Sequence, residues 1–249
     1  MEFFILFIFG LIIGSFLNVC ISRIPRGESI VFPPSRCEAC GTNLKPFDLV
    51  PVASFLLLRG KCRYCGCRLS WRYPGIEVLT GVLFILLYQN FGVAKNLIPA
   101  LFLISLLIIV SFIDMDHYRI PDLLIIFGLG TGIVFQILIP SIRFSDSLLG
   151  LIVGGGILFT LALVSRGGMG GGDIKLGGLI GFFLGWRFIL LSLFLAALLA
   201  SIIGLALMLV KKKSRKDPIP FGPFLSLGAI ISVLWGNDLI LWYVNSFFQ

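Results

Sequence analysis

The sequence predicts an all-α polytopic membrane protein with about eight transmembrane helices and a small cytoplasmic insertion after helix 1. Three observations carry that expectation. The 249 residues are 58% hydrophobic and only 13% charged, with a mean hydropathy of +1.05. That leaves too little polar side chain to cover a soluble domain of this length. Apolar runs near the length of a bilayer crossing recur along the chain. Lys and Arg gather in short segments beside those runs, as they do in cytoplasmic loops facing anionic lipid.

The apolar segments fall at residues 3–21, 75–92, 97–114, 121–139, 147–165, 174–186, 188–210 and 221–244. The first has no basic stretch before it and no small-residue cleavage site after it. Its positive charges, Arg23 and Arg26, follow the run. It is therefore expected to be a retained helix with its N-terminus outside, not a cleaved signal peptide. The fourth opens at Pro121, a residue suited to the first turn of a helix. The sixth is short and glycine-rich, and is expected to tilt or to pack inside the bundle.

Orientation follows from the basic residues. The alternation of spans puts 17 Lys and Arg on the cytoplasmic side, leaving Lys95, Arg143 and Arg187 outside. The cytoplasmic set includes Arg166, Lys175 and the cluster Lys211–Lys213, Arg215 and Lys216. The net charge of +8 is thus read as a membrane-lipid signal, and no nucleic-acid partner is expected. The organisation that results is a first helix at 1–21, a cytoplasmic cysteine-bearing segment at 22–74 and a polytopic membrane domain at 75–249. Within 22–74 the apolar patch Leu49–Leu58 is too short to span and is broken by Pro51.

Two C-x-x-C pairs lie in that segment: Cys37 and Cys40 in RCEACG, and Cys62 and Cys65 in KCRYCG. Each second cysteine precedes a glycine, which lets the backbone turn its amides toward the sulfurs. Such pairs can present four thiolates to one Zn2+ ion. A reducing cytoplasmic setting disfavours the alternative, a pair of disulfides. Four sulfurs leave no open position for water, so the metal is expected to be structural. Cys67 is a possible substitute ligand, and Cys20 is expected to pack in the first helix.

The remaining chemistry centres on acids at the ends of apolar spans, where a carboxylate is costly and is by default a functional hypothesis. Asp114 lies in SFIDMDHYRIPD and Asp173 in SRGGMGGGDIKLGG. Two facing carboxylates would share a proton. The ionised one could take a proton from water while the protonated one polarises a scissile carbonyl. The glycine run would let an extended peptide approach the backbone closely. The competing reading makes Asp114, Asp116 and Asp122 helix-end groups and Asp173 a helix cap. His117, the one histidine, reads as a residue of a solvated turn, so a Ser-His-Asp triad has little support.

Over almost its whole length the chain resembles the type IV prepilin leader peptidases. The resemblance rests on GSFLNVCISRIPRGESIVFPPSRCEACG, PVASFLLLRGKCRYCG, WRYPGIE, DMDHYRIPD and GGGDIKLGG. The last alone would also fit presenilin-like proteases. It implies cleavage of a short basic leader from prepilins or pseudopilins, after a glycine, at the cytoplasmic face of the bacterial inner membrane. It places the catalytic aspartates at Asp114, seven residues before Pro121, and at Asp173, with Asp116 the competitor for the first role. Asp116, Gly170, Gly172 and Lys175 are the candidate substrate contacts beside them. It also implies that Cys37, Cys40, Cys62 and Cys65 bind zinc. A second activity is implied too, N-methylation of the new amino terminus with S-adenosylmethionine, associated with Arg72, Pro74 and Glu77. Gly75 departs from the family there, where a larger apolar residue is usual. From other classes, a small transporter or channel with a zinc-stabilised loop is the main rival, and a structural assembly factor the second. No inverted repeat is apparent, and the acids cluster at one face instead of the midplane.

Overall fold

The computed structural model describes residues 1–140, 142–165, 168–210 and 219–247, the last without its side chain. Arg166 and Gly167, and the basic cluster Lys211–Lys213, Arg215 and Lys216, lie outside the described residues. Helices dominate and no strand occurs among the described residues, only two isolated bridges. The order is α1 (Glu2–Arg23), α2 (Ala53–Leu57), α3 (Arg72–Phe91), α4 (Leu97–His117), α5 (Asp122–Leu138), α6 (Phe144–Val164), α7 (Gly171–Leu209) and α8 (Gly222–Phe247). Among the described residues six helices are long and apolar enough to cross a membrane, and α5 is a shorter apolar helix. Their outward faces carry large side chains such as Ile126, Ile137, Leu163 and Phe194 in exposed positions. Apolar surface on this scale is what a lipid-facing bundle presents.

The chain divides into two compact units, Met1–Val93 and Ala94–Gln249. In the first, α1 packs along α3 through small residues that let the backbones approach. A Cβ added at Gly10 would meet Gly81 Cα at 2.6 Å, and one at Gly14 would meet Glu77 Cα at 2.7 Å. Asn18 fastens the polar end of this pair, donating from Nδ2 to the carbonyls of Gly14 (3.2 Å) and Tyr73 (3.1 Å). Between these helices the polar segment folds into two cysteine turns. They are joined by a 3-10 turn (Pro46–Leu49) and by α2, whose Phe55 is buried against Trp71 with ring centroids 4.7 Å apart.

In the second unit the tightest contact is α6 on α7. Gly150 and Gly154 face Gly181 and Gly177 so closely that a Cβ on any of the four would overlap the opposing backbone or side chain. A Cβ on Gly154 would also lie 2.9 Å from Ile189 Cγ1. Residues 177 and 189 are about 18 Å apart along a straight helix. One α6 glycine can touch both only because α7 doubles back between them. The reversal is made at Gly185, whose φ 79 and ψ 171 belong to a region open essentially to glycine alone. The predicted segments 174–186 and 188–210 are thus two limbs of one element, and among the described residues the eight apolar segments are carried by seven long or apolar helices.

Candidate functional site

Asp114 sits in the last turn of α4, which closes when the Tyr118 N–H donates to the Asp114 carbonyl (2.9 Å) with Tyr118 left-handed at φ 53. The Asp114 side chain is only 5% exposed, whereas Asp116 is exposed. Burial therefore separates two acids that the sequence could not. The Asp114 carboxylate Oδ2 accepts the Gly222 N–H at 3.0 Å. Gly222 is the first residue of α8, so this donor has no partner within its own helix and carries the positive end of the helix dipole. The absence of a side chain matters here, since a Cβ at Gly222 would lie 2.7 Å from Oδ2.

Asp173 is built in a parallel way. It is the third residue of α7, 9% exposed, and its carboxylate is turned to the N–H of Gly170, the N-cap. That is half of a capping box. Asp114 lies close enough for its charge to act on Asp173. Two further contacts bring the DMDHYRIPD and GGGDIK stretches together. Gly172 lies against Ile120, where a Cβ would meet Ile120 Cβ at 2.9 Å. Lys175 Nζ is bound to Asp122 Oδ1 at 2.7 Å. Of the expected substrate contacts, Gly172 is thus packed against the 118–121 turn, Lys175 is ion-paired, and Gly170 serves Asp173. Sequence reasoning missed Gly222 and the Asp122–Lys175 pair. The Pro220–Phe221–Gly222–Pro223 run at the start of the last span was the one signal for the former.

The cysteine turns form an internal repeat, SRCEACGTNL and GKCRYCGCRL. In the first, Cys37 N–H donates to Thr42 O (3.0 Å) and Gly41 N–H to Cys37 O (2.8 Å). In the second, Cys62 N–H donates to Cys67 O (2.8 Å) and Gly66 N–H to Cys62 O (3.0 Å). Gly41 and Gly66 take matching left-handed angles, φ 69 and 71. The Arg36–Asn43 and Lys61–Arg68 bridges close both turns. The sulfurs of Cys37, Cys40, Cys62 and Cys65 lie within 4.8 Å of one another, on the scale of a tetrahedral sulfur cage around a metal ion. The Thr42 hydroxyl and N–H bring the Cys40 thiol down to about 6, and the N–H groups of Cys65 and Tyr64 lower Cys62. Cys65 is raised: the N–H of Cys67 pulls it down, but the Cys67 thiol, burial and the other sulfurs outweigh that pull. Sulfurs this close hold protons among themselves unless a cation replaces them. Asp48, which the sequence did not flag, joins the two turns. It accepts from Lys45 N–H (3.1 Å), Arg63 Nε (2.6 Å) and Tyr64 Oη (2.9 Å).

Near the start of α3, Pro74 and Glu77 are buried and Arg72 is half-buried. Glu77 Oε2 accepts the Val52 N–H at 2.7 Å. Val52 has φ 58 and ψ −49, and Ala53 N–H donates back to Pro51 O at 2.5 Å. This is a strained γ-turn centred on a β-branched residue, and Glu77 holds it. Gly75 has nothing within 4 Å of an added Cβ.

The family described as Bacterial Peptidase A24 N-terminal domain matches residues 8–91, and the Type IV leader peptidase family matches residues 101–205. A protein of Bacillus subtilis (strain 168) named prepilin leader peptidase/N-methyltransferase is 39% identical over 241 residues, covering 97% of each chain. The chain belongs to the type IV leader peptidase family. A relative of the same name from Aeromonas hydrophila is 32% identical over 276 residues, covering 99% of this chain and 95% of its own. Another from Myxococcus xanthus (strain DK1622) is 40% identical over 209 residues, 82% of this chain and 62% of its own. No solved structure matches. With its apolar helices and its family, this leader peptidase family member is a multi-pass membrane protein.

Proposed function

We propose that this chain is an intramembrane aspartic endopeptidase that removes the basic leader of type IV prepilins or pseudopilins after glycine. The reaction takes place at the cytoplasmic face of the bacterial inner membrane. The observation that carries the reading is the pairing of two buried carboxylates, Asp114 and Asp173, each held at a helix N-terminus in an apolar bundle. In that setting one carboxylate is ionised and takes a proton from water, which attacks the scissile carbonyl. The other is protonated, polarises the carbonyl oxygen and passes its proton to the departing amide nitrogen. Water is the nucleophile, so no covalent intermediate forms. Gly222 and Gly170 hold the carboxylates from behind. Asp116, two residues on in α4, is exposed and turned away from the Asp114 side of the helix, and a polar leader segment would meet it on that face.

The four-cysteine cluster is read as a structural zinc site. Its sulfur donors and spacing suit that ion, and it leaves no coordination position for catalysis. The relatives' names include N-methyltransferase, and the same second activity is proposed here, with S-adenosylmethionine supplying the methyl group when bound. Glu77 is turned inward onto Val52. Its proposed part is to shape the Pro51–Ala53 turn of the polar segment, beside Arg72 and Pro74.

The test is incubation of the purified protein in detergent with a prepilin peptide, read by mass spectrometry. Leader loss is expected, with one methyl added to the new amine when S-adenosylmethionine is supplied. Asp114→Asn and Asp173→Asn should each lower cleavage by at least about 10²-fold while remaining folded. Full cleavage by either variant removes the pair from the mechanism.

A further inference from the structure

The two cysteine turns share one backbone pattern, and the residue that follows the glycine after each C-x-x-C differs in its chemistry. After Cys40–Gly41 the first carries Thr42, and after Cys65–Gly66 the second carries Cys67. The Thr42 hydroxyl contacts Cys40 Sγ at 3.3 Å. Cys67 puts a sulfur in the corresponding place, its N–H and its thiol both turned to Cys65. The Cys67 sulfur also lies 3.6 Å from Cys37 Sγ, while Cys65 Sγ lies 3.9 Å from the same atom. Zn–S bonds of about 2.3 Å set the edge of a tetrahedral sulfur site at about 3.8 Å. Cys67 stands outside the four sulfurs that lie within 4.8 Å of one another, but it meets Cys65 and is at edge distance from Cys37, so it flanks the Cys65 vertex.

The geometry points to a shared vertex: Cys67 is a fifth ligand that takes the place of Cys65, so that the site keeps four sulfurs when Cys65 is lost. The exchange trades thiolate for thiolate, with a proton leaving Cys67 as one returns to Cys65, and no redox change is needed. The first turn has no such reserve, because the Thr42 alcohol does not ionise near neutral pH. The inference rests on reading the cluster as a metal site.

The test uses the full chain in detergent loaded with cobalt(II) in place of zinc, since sulfur-to-cobalt charge transfer scales with the number of thiolates. Cys65→Ala should keep the intensity of the wild type. Cys40→Ala and the double variant Cys65→Ala/Cys67→Ala should each lose about a quarter of it, as three sulfurs replace four. In competition with a chelator, Cys40→Ala should bind metal at least about tenfold more weakly than Cys65→Ala. Equal losses in Cys40→Ala and Cys65→Ala overturn the shared vertex while leaving the metal site standing. A wild type that takes up neither cobalt nor zinc overturns both. Should the double variant fail to fold, the comparison of the two single variants still decides.

Discussion

At the scale of single residues, burial and backbone donors sort the acids. Asp114 and Asp116 stand two apart in one motif. Only Asp114 is buried, and only it is tied to the orphan N–H of Gly222. Both members of the proposed pair are also helix-terminal groups, so the capping and the catalytic readings of the sequence are not exclusive. A helix N-terminus favours the ionised carboxylate against the cost of burial, which suits a group that must hold and release a proton. Gly222 becomes a positioning residue on this view. In Gly222→Ala the new methyl would meet Oδ2 at 2.7 Å and the carboxyl carbon at 3.2 Å, and the carboxylate would have to turn away. Cleavage of a prepilin peptide should fall about tenfold to a hundredfold, since small misplacements of reacting groups are costly. Stability should drop by about 1–3 kcal/mol, as for other overpacked sites. Unchanged cleavage would show that the Gly222 contact does not position Asp114.

At the scale of elements, close backbone approach shapes the second unit. Gly150 and Gly154 on α6 meet Gly181 and Gly177 on the first limb of α7, and Gly185 turns the chain back so that the second limb reaches the same helix. Asp173 is the third residue of that first limb, so the contact with α6 also fixes the limb that carries it. Gly185→Ala tests the hairpin. An added Cβ has room, with its nearest neighbour, Ile142 Cδ1, 3.4 Å away, so the cost lies in the backbone conformation. It should amount to about 1–3 kcal/mol, seen as a lower thermal unfolding midpoint in detergent. A midpoint equal to that of the wild type would show that the reversal does not depend on glycine. The Val52 turn in the first unit is the contrasting device. There a β-branched residue holds a positive φ, which its own chemistry disfavours, and the restraint comes from Glu77, 25 residues on.

At the scale of the whole molecule, the sequence made the helical spans legible because apolar length is a strong one-dimensional signal. The cysteine turns were legible because their ligands come in short, regular spacings. What it could not disclose were contacts made across the fold. The Gly222 N–H on Asp114, Lys175 on Asp122 and Asp48 joining the two cysteine turns involve residues whose local surroundings do not announce a partner. The reversal in α7 was hidden for the opposite reason, since a single glycine does there what usually takes a loop. The proposed orientation in the membrane rests on the 17-to-3 distribution of basic residues across the predicted spans, and α4 gives it a direct test. Its 21 residues rise about 31 Å, enough to cross the hydrocarbon core, so its two ends should face opposite compartments. Val93, 86% exposed just before α4, and Tyr118, 52% exposed just after it, mark those ends. With a membrane-impermeant maleimide, Val93→Cys should be labelled in intact cells. Tyr118→Cys should be labelled only in inverted vesicles, on the side where the basic leader of a prepilin resides. Labelling of Tyr118→Cys from outside the cell would reverse the topology and remove the cytoplasmic cut from the proposed function.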